Sequence, residues 1–94
     1  MAGQRLLKIR QPLGDDAFVE IVVWKPPQSL PGSQHTLKYR LAYVSSGECM
    51  VRYDNESGKG DHKHVSGCET PVTFTDLDTL LRDFWRDVDQ WRSR

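Results

Sequence analysis

Apolar positions along the chain recur first with a period of two and, near the C-terminus, with a period close to that of an α-helix. In GQRLLKIR (residues 3–10) Leu7 and Ile9 alternate with Lys8 and Arg10, which predicts a first strand. AFVEIVVWK (17–25) is dense in β-branched and aromatic side chains and predicts the most buried strand. Pro26 and Pro27 close it, because neither has the N–H a sheet ladder needs. TLKYRLAYV (36–44) and ECMVRYDN (48–55) flank SSG, a hairpin signal.

The register of that hairpin follows from the same pattern. A two-residue Ser46-Gly47 turn would pair Leu41 with Arg52 and mix apolar with charged side chains on both faces. A three-residue Ser45-Ser46-Gly47 loop pairs Leu41 with Val51 and Arg40 with Arg52. Tyr39, Leu41, Tyr43, Cys49, Val51 and Tyr53 then share one face, and Lys38, Arg40, Arg52 and Asp54 the other. A slip of one residue flips every side chain, so the cleaner segregation favours the three-residue loop. Arg40 opposite Arg52 is a like-charge pair, unfavourable without an intervening anion or Asp54.

Beyond the hairpin, KGDHKH (59–64) has nothing apolar to bury and is expected as a loop, followed by a short extended TPVTF. Thr75 and Asp78 form a start resembling a capping box. Leu77, Leu80, Leu81, Phe84, Trp85, Val88 and Trp91 then fall on one helical stripe, with Asp76, Asp83, Arg86, Asp87 and Asp89 directed to water. The expected fold is α+β: one domain over residues 1–94, with an antiparallel sheet of about four strands packed on one face by a C-terminal amphipathic helix. Trp85 is expected to be a large part of the buried stripe. The sheet face away from the helix carries Lys38, Arg40 and Arg52, joined by Lys8 and Arg10, and offers either a solubilising surface or a docking face for phosphates.

Composition narrows the function classes. The 94 residues suffice for one core, and the three Trp, three Tyr and three Phe offset a mean hydropathy of −0.62. Thirteen basic and 13 acidic residues cancel, which argues against a general polyanion binder. Cys49 and Cys68 lack metal-type spacing, and with no leader or long apolar stretch they point to a cytoplasmic protein without disulfides or membrane contact.

The chemistry concentrates in KGDHKH, which holds two of the three histidines, His62 and His64; the third is His35. Three readings compete. A metal site would use His62-x-His64 with Asp61 or His35, but no cysteine pair and no HExxH helix supports it, so no metal and no cofactor is expected. An acid–base site would cleave RNA, one histidine deprotonating the 2′-hydroxyl and the other protonating the leaving 5′-oxygen. Lys63, Arg40 or Arg52 would stabilise the phosphorane, with Tyr53 beside them. Lys38, Lys59, Asn55 and Tyr39 are then candidate substrate-binding residues. The third reading is a solvated loop. Cys49, on the apolar face, and Cys68, with no histidine at a diagnostic distance, are poor nucleophiles.

FVEIVVWKPP, HTLKYRLAYV, MVRYDNESGKGDHKHV and FTDLDTLLRDFW resemble, in order and spacing, the TumE-like toxin family of bacterial type II toxin–antitoxin modules. The likeness runs over about residues 5–88 and is most specific at Tyr39-Arg40, Arg52 to Asn55 and His62-Lys63-His64. A frequent variant has a third histidine where this chain has Asp61. The resemblance implies a small α+β protein, growth-inhibiting when free, neutralised by an antitoxin that is usually a helix-turn-helix protein. It also suggests a ribonuclease acting on RNA. The alternative is a non-catalytic module that binds nucleic acid or protein through the basic sheet face.

Overall fold

A computed structural model describes residues 4–25, 37–56 and 60–93. Among these residues six strands, β1 (Gln4–Pro12), β2 (Ala17–Lys25), β3 (Lys38–Ser45), β4 (Glu48–Glu56), β5 (Gly60–Val65) and β6 (Cys68–Pro71), precede one helix, α1 (Leu77–Arg92). The strands pair antiparallel in chain order, β1 to β6, as one meander. The α+β class with a C-terminal helix is as expected; the sheet has six strands where about four were expected.

The two additional strands come from the histidine segment and the residues that follow it. KGDHKH is not a loop: Gly60–Val65 pairs with β4, and Cys68–Pro71 pairs back onto it. The connection is Ser66 and Gly67, with φ of 51° and 84°. Two successive left-handed residues match the twist of a two-residue hairpin.

The β3–β4 hairpin uses the same device, and here the expected register is corrected. Ser46 (φ 53°) and Gly47 (φ 80°) make a two-residue turn, so Ser45 pairs with Glu48 and Val44 with Cys49. Met50 is then bulged out of the ladder, and beyond it Tyr43 pairs with Val51, Leu41 with Tyr53 and Arg40 with Asp54. The turn moves the register by one residue from the three-residue loop, and the bulge moves it by one more. A shift of two preserves faces. Tyr39, Leu41, Tyr43, Val51 and Tyr53 therefore lie in the core while Arg40 is exposed. Cys49, on the turn side of the bulge, is the exception: it is exposed, not on the apolar face. Arg40 faces Asp54, so the unfavourable arginine pair does not form.

In β2 the buried positions alternate as Ala17, Val19, Ile21 and Val23, and α1 lays Leu80, Phe84 and Val88 against the same core. Phe84 meets the Tyr53 ring edge-on at 5.8 Å, and Trp91 meets Tyr43 at 5.5 Å. Burying Phe84 is worth about 1.5–3 kcal/mol. Trp85 is only half-buried, packing beside Phe84. Two further expectations change at the helix. Its N-cap is Asp76, whose carboxylate accepts from the Thr79 N–H at 2.7 Å, not a Thr75–Asp78 box. Asp87 turns inward, where it accepts from the Tyr53 hydroxyl and pairs with Lys63 at 3.1 Å.

Candidate functional site on the open face of the sheet

With α1 on one face, strand alternation assigns the remaining side chains to the other. Cross-strand pairing lines them up in two rows. One runs Lys8, Val22, Arg40, Asp54, His62 and Pro71, and the next runs Arg10, Glu20, Ala42, Arg52, His64 and Glu69. The two histidines stand side by side on β5 with ring centroids 5.4 Å apart.

His62 is the inner of the two, with a side chain 6% exposed against 32% for His64. Its Nδ1 lies 3.3 Å from the carbonyl oxygen of Gly60, and its Nε2 lies 2.7 Å from Asp54 Oδ1 and 3.6 Å from Glu69 Oε1. Asp54 is shared: Arg52 Nε approaches its second oxygen at 3.3 Å. These approaches are close but poorly directed, so His62 Nε2, Asp54 Oδ1 and Arg52 Nε are buried without an aligned hydrogen bond. His64 Nε2 is 3.5 Å from Glu69 Oε1. A cleft lined by Asp61, His62, Glu69, Thr70 and Pro71 gives access to the inner histidine.

The structure separates the candidate residues into two groups. His62, His64, Arg40, Arg52 and Lys38 share the open face, where Lys38 Nζ donates to the backbone carbonyl of Asn55. Lys63 and Tyr53 stand opposite each other on the helix face, both bound to Asp87, with the Lys63 ammonium 5.6 Å from the Tyr53 ring centre. Tyr39 is also on the helix face and donates to Asp61 at 2.7 Å. Asn55 is fully buried, accepting from the Tyr39 N–H at 3.0 Å and donating to the Leu37 carbonyl at 2.7 Å, so it staples β4 to the start of β3. Lys59 and His35 lie outside the described residues.

Burial, reinforced by hydrogen bonds to Asp61 and Asp87 respectively, pushes the Tyr39 and Tyr53 hydroxyls well above the ordinary phenol value. Both stay neutral and serve as donors that tie the core together. Neither is placed or poised to act as a base.

Two residues of the cluster are not among the site residues expected from sequence, where Asp54 enters only as a counter-charge to Arg40 and Arg52. Asp54 is visible on the open face, but its pairing with His62 requires the β4–β5 register. Glu69 requires the β5–β6 hairpin. A signal for that hairpin exists: Ser66-Gly67 repeats the Ser46-Gly47 dipeptide of the earlier turn. The register also assembles a donor set of which the sequence shows only His62-x-His64: one atom each from His62, His64 and Glu69, in place of the expected Asp61 or His35, lies within 4.8 Å of the others.

No helix among the described residues is long and apolar enough to cross a membrane. Comparison with curated proteins and with solved structures gives no match. A family model described as Toxin TumE does match, over residues 2–92, which takes in the six described strands, the histidine pair and the helix. The chain belongs to the TumE toxin family.

Proposed function

We propose that this toxin acts in the cytoplasm by cleaving RNA at the open face of its sheet, without a metal ion, and that a cognate antitoxin encoded beside it, of helix-turn-helix type, holds it in check. The observation that carries the reading is the side-by-side pair of imidazoles, 5.4 Å apart, with Arg52 directly across the strand pair from His64. In-line cleavage forms a bond from the 2′-oxygen to phosphorus and breaks the bond to the 5′-oxygen. One histidine takes the 2′-hydroxyl proton and the other supplies a proton to the departing oxygen. The guanidinium of Arg52, with Arg40 farther along the face, meets the charge on the phosphorane. Asp54 flanks the inner ring, and His64, the more accessible of the two, is the group a substrate meets first.

The binding-only alternative has less support, because three arginines of this face already stand beside carboxylates. Arg10 and Arg40 both approach Glu20, at 3.6 and 3.7 Å, and Arg52 approaches Asp54. A surface built to hold polyanions by charge alone would leave its cations free.

The test is cleavage of RNA by purified protein in EDTA. His64→Ala should lower the rate by about two orders of magnitude or more, with the fold intact by circular dichroism. Arg52→Ala should weaken cleavage as well. Equal cleavage by wild type and His64→Ala would return the histidine pair to plain surface. Activity that vanishes in EDTA would overturn the metal-free route.

A further inference from the structure

We infer that His62, His64 and Glu69 form a binding site for a divalent transition ion of the zinc class, and that the ion silences the site by occupying both imidazoles. The binding half stands on geometry alone; the silencing half rests on the acid–base reading above.

Metal ligation needs donor atoms converging on one point from a rigid frame. His62 and His64 sit two residues apart on β5, so their rings leave the strand on the same side. Glu69 faces His64 directly across the β5–β6 ladder. Its Oε1 is 3.6 Å from His62 Nε2 and 3.5 Å from His64 Nε2. Tetrahedral zinc with bonds near 2.0–2.2 Å has ligand–ligand edges of about 3.3–3.6 Å. The carboxylate thus already stands close to ligand spacing from both rings.

The surroundings of His62 supply a second, independent argument. Nδ1 lies 3.3 Å from the Gly60 carbonyl, an acceptor for a proton on Nδ1 once a cation occupies Nε2. That is the backbone contact metal-ligating histidines commonly make with their other nitrogen. Nε2 itself lies beside two carboxylates, Asp54 at 2.7 Å and Glu69 at 3.6 Å, whose charge favours a cation there. Nε2 and Asp54 Oδ1 are buried and lack an aligned hydrogen bond, so hydrogen bonding within the protein does not satisfy them. A cation placed among Nε2 of His62, Nε2 of His64 and Glu69 Oε1 satisfies all of these groups together. Asp54 either enters the coordination sphere or accepts from a metal-bound water. Two imidazoles and carboxylates select zinc or its neighbours over magnesium, which prefers an all-oxygen shell. An imidazole whose Nε2 lone pair is bound to metal cannot take up or release a proton there, so the ion and RNA cleavage exclude each other.

The experiment is calorimetric titration of chelator-stripped protein with zinc chloride and, separately, magnesium chloride, beside His64→Ala and Glu69→Gln, with folding checked by circular dichroism. Both variants alter side chains open to solvent, so the buried His62 is left untouched. Zinc is expected to bind with one-to-one stoichiometry, to shift the imidazole C–H signals of His62 and His64 in NMR spectra, and to bind at least about tenfold more weakly in each variant. Magnesium is expected not to bind. Absence of saturable zinc binding, or binding unchanged in both variants, overturns the site. RNA cleavage by the same preparations separates the two proposals. Zinc binding without cleavage in any state leaves the site standing and removes the ribonuclease reading. Cleavage without zinc binding does the reverse, and acceleration by zinc overturns the silencing role.

Discussion

The hydroxyl of Tyr53 crosses the core to Asp87 on the helix, and Lys63 reaches the same carboxylate from β5. Periodicity assigns Asp87 to water, because a helical wheel counts apolar residues and cannot see a partner waiting on another element. A hydrogen bond to a charged group is worth about 1.5–3 kcal/mol, so Tyr53→Phe should lower the unfolding free energy in urea by that amount. A variant as stable as wild type would mean that Asp87 is satisfied without Tyr53. The N-cap gives a second test at this scale. The Thr79 backbone N–H, then its side chain, hold the Asp76 carboxyl below its ordinary value of 3.8. Its contribution is therefore fully present above that value and fades as pH falls through the lowered one. Asp76→Ala should melt earlier than wild type at neutral pH, and the gap should close as the pH is taken well below 3.8. A gap that persists unchanged in acid would show that the cap does not act through its charge.

At the scale of elements, the two Ser-Gly turns and the helix carry the argument. Gly47 and Gly67 sit at φ of 80° and 84°, and a Cβ at either would meet nothing within 4 Å. Substitution there costs backbone conformation alone, about 1–2 kcal/mol for an ordinary residue in the left-handed region. Gly67→Ala should lower stability by that amount in urea unfolding and loosen the hairpin that carries Glu69. No loss would show that the turn can be remade in another form. On the helix, Phe84→Ala should cost about 3–5 kcal/mol, as deletion of a fully buried aromatic does, and the half-buried Trp85 should cost less. The reverse order in thermal melts would mean that the helix is rotated about its axis. The β3–β4 hairpin shows how much of an element is legible. Segregation of Tyr39, Leu41 and Tyr43 from Arg40 demanded particular faces, and any even shift of register satisfies that demand. The choice between even shifts fell to local turn chemistry and the Met50 bulge, which hydrophobic pattern does not encode.

Across the whole molecule, each strand pairs with its neighbours in sequence, and the helix closes over the buried aromatics of β3 and β4. Order should therefore fall toward the sheet edges. Every residue of β6 is exposed, whereas Val19, Ile21, Val23, Leu41 and Val51 are buried. Amide hydrogen exchange should be slowest in β2, β3 and β4 and faster in β6, since exposed edge bonds open without breaching the core. Uniform protection across all six strands would contradict that gradient.

The class of fold, the strand β2, the faces of β3 and β4 and the stripe of α1 were determined by sequence, because each depends on which side chains avoid water, and that preference is written into local periodicity. The histidine segment was legible only as chemistry: its residue types signalled a site, while its lack of apolar residues concealed a strand. What it does there depended on tertiary structure. Whether His62 and His64 meet Asp54, Arg52 and Glu69, and whether Lys63 turns away from them, depends on pairing between strands that are apart in sequence. Those registers follow from turns, a bulge and buried polar partners acting together, and no single stretch of chain contains that information.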